Sequence, residues 1–174
     1  PTNYIGKVVS NFTGSLFTFF NEGSSPKEVT GSDKKREVVG NVHFDQSFHI
    51  EKRPRAIDAY FPKPGSKVTN YEEVDLRGRY AGPNNADYIK LVTRTPQWDV
   101  ERKLFVLNFR GRSAVKSPKN FIMIDADLPA DQPDVLLMAK WNDDSFNLDV
   151  SYPLNPLQAF EVAVTAFAFK IGCQ

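Results

Sequence analysis

The sequence predicts a mainly β fold: an antiparallel β-barrel or sandwich whose sheet wraps around one apolar C-terminal α-helix. Three observations predict it. Short runs of β-branched and aromatic residues recur along most of the 174 residues, each closed by turn residues. The chain finishes in its most apolar stretch, PLNPLQAFEVAVTAFAFKIGCQ, which carries a good helix start. One apolar helix beside many strands then needs a sheet's inner face to enclose it.

The strands follow in order. YIGKVVSN and SLFTFFNEG open the chain, and Asn21-Glu22-Gly23 reads as a hairpin turn. Residues 23–35 lack periodicity and apolar mass, so they read as an exposed loop. Residues 38–50 and 55–61 read as two further strands. PKPGSK breaks the chain, and residues 64–85 form a second long connection. Residues 88–95 are a strand ended by Thr95-Pro96. Residues 103–110 give the clearest alternation, with Phe105, Leu107 and Phe109 against Val106, Asn108 and Arg110. Residues 121–125, 135–141 and 146–152 complete the set. No internal repeat is visible.

The tail differs in kind. Asn155 is a suitable N-cap, and Pro156 suits the first helical position. No breaker follows until Gly172, and Lys170 suits the negative end of the helix dipole. Gln158, Glu161 and Thr165 share a narrow stripe, while apolar residues cover the remainder. Such a helix is expected to be buried on nearly all sides, over 157–169. It is shorter than the roughly 20 apolar residues of a membrane span, and it carries Glu161 midway. Glu161 and Gln158 should then reach a barrel mouth or polar partners, since an unpaired buried carboxylate is costly.

Composition sets bounds. Charged residues are 25% and hydrophobic ones 41%, as in an ordinary globular domain. Residues 1–70 hold ten Lys/Arg against seven Asp/Glu, whereas residues 120–174 hold two against eight. The basic half can attract phosphates, nucleic acid or anionic lipid, or can be a mixed solvated surface. Cys173 is the only cysteine, so no internal disulfide forms. Asn11-Phe12-Thr13 is a glycosylation sequon of the kind that also occurs by chance.

Motifs of catalysis are missing. The chain has no G-x-S-x-G elbow, P-loop, H-E-x-x-H or paired-cysteine motif. His43 and His49 would stand about 20 Å apart on an extended strand, too far to share a metal ion. Asp125, Asp127, Asp131 and Asp134 lack EF-hand spacing and read as a solvated acidic loop. No catalytic residue, metal or cofactor is expected. Arg110-Gly111-Arg112 reads as a strand-terminating turn with satisfied arginines. Trp98 and Trp141 are expected to pack rather than to enter lipid.

LFVLNFRGR, SPKNFIMID, FNLDVSYPLNPLQAFEVAVTAF and the terminal KIGCQ, with YIGKVVSNFTGSLFTFFNEG ahead of them, resemble the C-terminal domain of tubby-like proteins. KKREV, AIDAYFPKPG and TPQWD correspond as well, so the resemblance covers nearly the whole chain. It implies a closed antiparallel β-barrel threaded by the apolar helix. It implies one domain over residues 1–174 that lacks the strands with which the family domain begins. It also implies binding of phosphoinositides, above all phosphatidylinositol 4,5-bisphosphate, by a membrane-associated adaptor at the plasma membrane, in the cytoplasm or cilium, or in the nucleus.

Carried over residue by residue, the family's first head-group lysine is Lys7 in YIGKVVSN, and its later arginine is Arg36 in KKREV. The arginine expected two positions after the lysine is replaced by Val9. Lys34 and Lys35 raise the local potential around Arg36. Gly6 lets a phosphate approach the backbone. Taken alone, Lys7 would read as a solvated strand residue. Lys52, Arg53 and Arg55 form a second basic cluster. They read as a solvated turn, or as a wider membrane-facing patch in which each cation contributes about 1 kcal/mol. Expected partners are phosphoinositide head groups and protein cargo or trafficking partners. The alternatives are a nucleic-acid-binding transcription regulator and a scramblase-like membrane protein.

Overall fold

The structure is a computed structural model and describes residues 4–25, 34–45, 56–66, 87–113, 115–129 and 131–168. Among the described residues there are ten strands: β1 (Gly6–Ser10), β2 (Leu16–Asn21), β3 (Val38–Phe44), β4 (Ile57–Pro62), β5 (Tyr88–Thr93), β6 (Gln97–Asp99), β7 (Leu104–Val106), β8 (Phe121–Asp125), β9 (Leu136–Lys140) and β10 (Phe146–Val150). The helix α1 (Pro156–Thr165) follows. Eight strands form one antiparallel sheet in the order β1-β2-β3-β4-β5-β8-β9-β10, while β6 and β7, among the described residues, pair only with each other. The mainly β expectation holds, as a curled half-barrel with α1 packed in its concavity.

Alternation sorts the side chains. Phe17 and Phe19 of β2, Val42 and Phe44 of β3, Ala59 and Phe61 of β4, Leu91 of β5 and Met123 of β8 enter one core with Val162 and Ala163 of α1. Their neighbours face outward. Phe20, Val38, Tyr60 and Tyr88 make a second buried cluster on the convex side, and Asn41 donates to Thr18 there at 2.9 Å. Between Phe19 and Phe20 the register slips by one residue, so that Phe19 pairs with Gly40 and Phe20 with Val38. That bulge sets the direction of everything N-terminal to it on β3. Gly40 is required where it stands. A Cβ there would lie 2.5 Å from the Phe61 ring and 3.1 Å from the Phe19 ring.

The start of α1 is as predicted. Asn155 accepts from the Gln158 amide at 2.9 Å, and the Gln158 side chain accepts from the Asn155 amide at 3.0 Å, a reciprocal capping box with Pro156 at its head. Its end and its cover are not. The helix stops at Thr165 rather than near Lys170, and its burial is one-sided. Ala159, Glu161, Val162, Ala163 and Thr165 are buried, but Phe160 is 59% and Phe167 53% exposed. Phe160, Val164 and Phe167 fall on one side of the helix by their spacing, and all three keep much of their surface exposed. The strands that end the sheet, β1 and β10, do not pair with each other among the described residues.

Other expectations need correction. The run 103–110 is not a main-sheet strand. Only Leu104–Val106 is extended, and it pairs with β6. Leu107 and Phe109 instead lie on the convex cluster of Ile122, Leu137 and Ala139. Asp134 is not a solvated loop residue, because it meets Arg94 at 2.9 Å and Arg110 at 3.2 Å. Arg110-Gly111-Arg112 is the satisfied turn expected of it. Arg110 and Gly111 have φ of 51° and 76°, and Arg112 makes a bidentate pair with Asp149. Trp98 stacks edge-on against Phe105 at 5.0 Å, although Trp98 and Trp141 remain about half exposed. Asn11 holds its own hairpin, accepting from the Ser15 and Leu16 amides at 3.0 and 3.1 Å.

Candidate anion-binding face

The β1–β2–β3 register builds this face. Lys7 pairs with Phe20, and Phe20 pairs on its other side with Val38. The three therefore form one row across the convex surface. Lys7 Nζ stands 5.2 Å from the centre of the Phe20 ring, a cation–π contact that lays the ammonium along the surface. Val9, two residues on, packs against the same cluster. The position that holds arginine in the resembling family thus faces the same way as Lys7.

Arg36 lies two residues before Val38. Here the chain is held against the end of β2 by a ladder of local bonds. The Asn21 amide donates to the Glu37 carbonyl at 3.1 Å, the Glu37 amide to Asn21 Oδ1 at 2.7 Å, and the Arg36 amide to the Ser24 carbonyl at 3.2 Å. Glu37 is engaged by Asn21, and Arg36 precedes β3 by two residues. Gly23 makes the approach possible. Its φ is 129°, and a Cβ there would meet the backbone of Lys34, Lys35 and Arg36 at 2.7–2.8 Å. Arg36 is partly buried, and its Nε–H is buried with no acceptor. The guanidinium carries further N–H donors beside that one, in a fork that suits a phosphate.

The flanking lysines differ. Lys34 is held by Glu22 at 2.7 Å. Hydrogen bonding to Glu22 raises the Lys34 pKa and lowers that of Glu22. Its charge is therefore shared with a neighbour that sequence spacing did not reveal. Lys35 is exposed and bridges to Ser24 through its backbone. Lys52, Arg53 and Arg55, with His49 and Cys173, lie outside the described residues. Gly6 also lies close to the helix. A Cβ on it would meet the Phe20 carbonyl at 2.6 Å and Glu161 Oε1 at 3.4 Å, so the space it leaves faces the helix.

Beside this face, Tyr60 donates to Asp58 at 3.2 Å and Lys90 pairs with Asp58 at 3.0 Å. Burial, then the Asp58 charge, pushes the Tyr60 hydroxyl pKa up. His43 packs edge-on against Tyr60 at 5.5 Å. These contacts brace β3, β4 and β5. Among the described residues no three His, Cys, Asp or Glu side chains are grouped to hold a metal ion. Nor is any described helix long and apolar enough to cross a membrane. At ten residues α1 spans about 15 Å, about half of a bilayer's hydrocarbon core.

A curled antiparallel sheet with an apolar helix in its concavity and a lysine on the convex side of its first strand defines a class of helix-filled β-barrel domains. The Tub family model matches residues 1–169, and the chain belongs to that family. It is 32% identical to Tubby protein homolog 1 of Caenorhabditis elegans, over 100% of this chain and 45% of that protein. It is 32% identical to Tubby-related protein 1 of Mus musculus, over 99% of this chain and 33% of that protein. It is 27% identical to Tubby-related protein 3 of Homo sapiens, over 99% and 40%. The chain thus spans less than half the length of these curated relatives.

Proposed function

We propose that this domain is a phosphoinositide-binding module of a membrane-associated adaptor, with Lys7 and Arg36 as the main head-group contacts. It does no chemistry on its ligand. The observation that carries the reading is the Lys7–Phe20–Val38 row, with the partly exposed Arg36 two residues before Val38 in the chain. A planar guanidinium supplies parallel donors to a phosphate, while an ammonium supplies a compact charge. Lys35 adds potential at the rim, and Lys34 adds less because Glu22 holds it. Phosphatidylinositol 4,5-bisphosphate is the head group proposed, and the cytoplasmic leaflet of the plasma membrane or of the cilium is the place.

The test is sedimentation with phosphatidylcholine vesicles that carry phosphatidylinositol 4,5-bisphosphate. Lys7→Ala and Arg36→Ala each remove a charge-assisted bond and should weaken binding about tenfold or more, with melting unchanged. Val9→Arg should strengthen binding, since residue 9 shares the face of Lys7. Unchanged sedimentation of both alanine variants would place the site elsewhere. Equal or tighter binding to duplex DNA at physiological salt would favour the nucleic-acid reading instead.

A further inference from the structure

A second surface shares no described residue with the Lys7–Arg36 face. Between β7 and residues 115–120 runs a groove of about 770 Å³, whose lining includes Leu107, Phe121 and Ile122. Four cations line it, Arg94, Arg102, Lys116 and Lys119, and no carboxylate does among its described residues. Two of the four are neutralised. Arg94 is held by Asp134 at 2.9 Å, and Arg102 lies 3.7 Å from Asp99. Lys116 and Lys119 have no carboxylate partner among the described residues. Lys119 rests against the Phe167 ring at 5.3 Å.

The wall is as informative as the charge. Strand β7 lines the groove and β6 does not. Because β7 pairs only with β6, its other edge has no strand partner among the described residues. An unpaired edge offers backbone donors and acceptors to an incoming strand. The hairpin also holds exposed apolar area, with Trp98 53%, Phe105 40% and Val100 76% exposed. Apolar lining, free strand edge and two unpaired lysines call for one kind of occupant.

We infer that this groove docks an extended acidic peptide that adds to the β7 edge, sets alternate apolar side chains on Leu107 and Phe121, and brings carboxylates to Lys116 and Lys119. The inference rests on the adaptor reading for its purpose, and gives the module a protein-binding surface separate from its lipid-binding one.

The probe is a fluorescein-labelled peptide alternating glutamate with leucine. Its counterpart alternates lysine with leucine. Fluorescence anisotropy at physiological salt should show binding of the acidic peptide and not of the basic one. Lys116→Glu with Lys119→Glu should weaken it at least about tenfold, and Phe105→Ser should weaken it with charge unchanged. Lys116→Ser with Lys119→Ser serves if the reversed pair melts early. Lys7→Ala should leave peptide binding intact, and the lysine variants should leave vesicle sedimentation intact. Equal binding of both peptides, no binding of either, or undiminished binding by the charge-reversed domain would overturn the inference. So would joint loss of vesicle and peptide binding in the lysine variants, because the lysines would then belong to the membrane face. Peptide binding without vesicle binding would defeat the lipid reading alone.

Discussion

Raising the pH from about 5 to about 8 is expected to destabilise this domain progressively through Glu161, and Glu161→Gln is expected to remove that slope. Glu161 is only 4% exposed, and neither carboxyl oxygen has a hydrogen-bond partner. Around it stand Gly6 of β1, whose Cβ position is 3.4 Å away, and the apolar concave side chains of the neighbouring strands. The concave positions are Gly6 and Val8 on β1, Phe17 and Phe19 on β2, Val42 and Phe44 on β3, and Phe146, Leu148 and Val150 on β10. None of them is titratable. Burial alone pushes the Glu161 pKa up from 4.5 to about 8.

The sign follows from proton counting. Below about 4.5 both folded and unfolded chains hold the proton, and the group takes nothing from stability. Between about 4.5 and about 8 the unfolded chain releases it while the folded chain retains it. Stability then falls with pH by roughly 1.4 kcal/mol per unit. Above about 8 the loss is complete. Other groups of the protein also titrate across this range, so the informative quantity is wild type minus variant. Melting temperatures of the two proteins should converge near pH 5 and separate toward pH 8, with Glu161→Gln the more stable. Parallel curves across that range would show that Glu161 is ionised or paired in the folded state.

That carboxylate was legible as an anomaly, since a single acid in an apolar helix must find a partner or lose its charge. What periodicity could not supply was the outcome. Gln158 found its partner in the Asn155 cap, one turn away and therefore local. Any partner for Glu161 would have to come from another element. The same limit explains the exposed stripe. Phe160, Val164 and Phe167 are apolar, so the helix looked fit for burial on every side, yet a sequence pattern records what a face prefers and not what covers it. Most strands were legible because one side chain in two enters the core, and Phe17 and Phe19 or Phe146, Leu148 and Val150 show that period plainly.

The run 103–110 shows where alternation misleads. It reports two different environments on two sides, and both exist here, but they belong to different neighbours. Phe105 meets Trp98 on the small sheet, while Leu107 and Phe109 meet the convex side of β8 and β9. Of the candidate site, Lys7 and Arg36 came from motif position, and the register supplies the row of Lys7, Phe20 and Val38 on which the proposal builds. The Phe20 platform, the Glu22 tether on Lys34 and the Gly23 contact were illegible, because each depends on a pairing between segments more than ten residues apart. Lys116 and Lys119 were passed over for a related reason. Two lysines in a Ser/Pro loop become notable only once the β7 edge lies opposite them.

Phe61→Ala is expected to cost about 3–5 kcal/mol, and Phe160→Ala only about 1 kcal/mol or less. This reverses the weight that helix periodicity alone would assign to Phe160. The Phe61 ring is fully buried, packs against Phe19 with centroids 6.2 Å apart, and fills the space that Gly40 leaves open on β3. Truncation would strip contacts from β2, β3 and β4 together. A rigid antiparallel sheet relaxes little into such a gap, so the cavity adds to the lost transfer energy. Phe160 already keeps 59% of its surface in water, so its removal forfeits little burial. Phe167 lies between the two, half exposed but edge-on to Phe146 at 5.1 Å. Because a domain of this size has a total stability of about 5–15 kcal/mol, Phe61→Ala should shift the urea midpoint far down or abolish the transition. Phe160→Ala should leave the midpoint nearly in place with the same slope. A large loss for Phe160→Ala would mean that its face is covered in solution, and near-wild-type unfolding of Phe61→Ala would mean that β2, β3 and β4 do not share the core described.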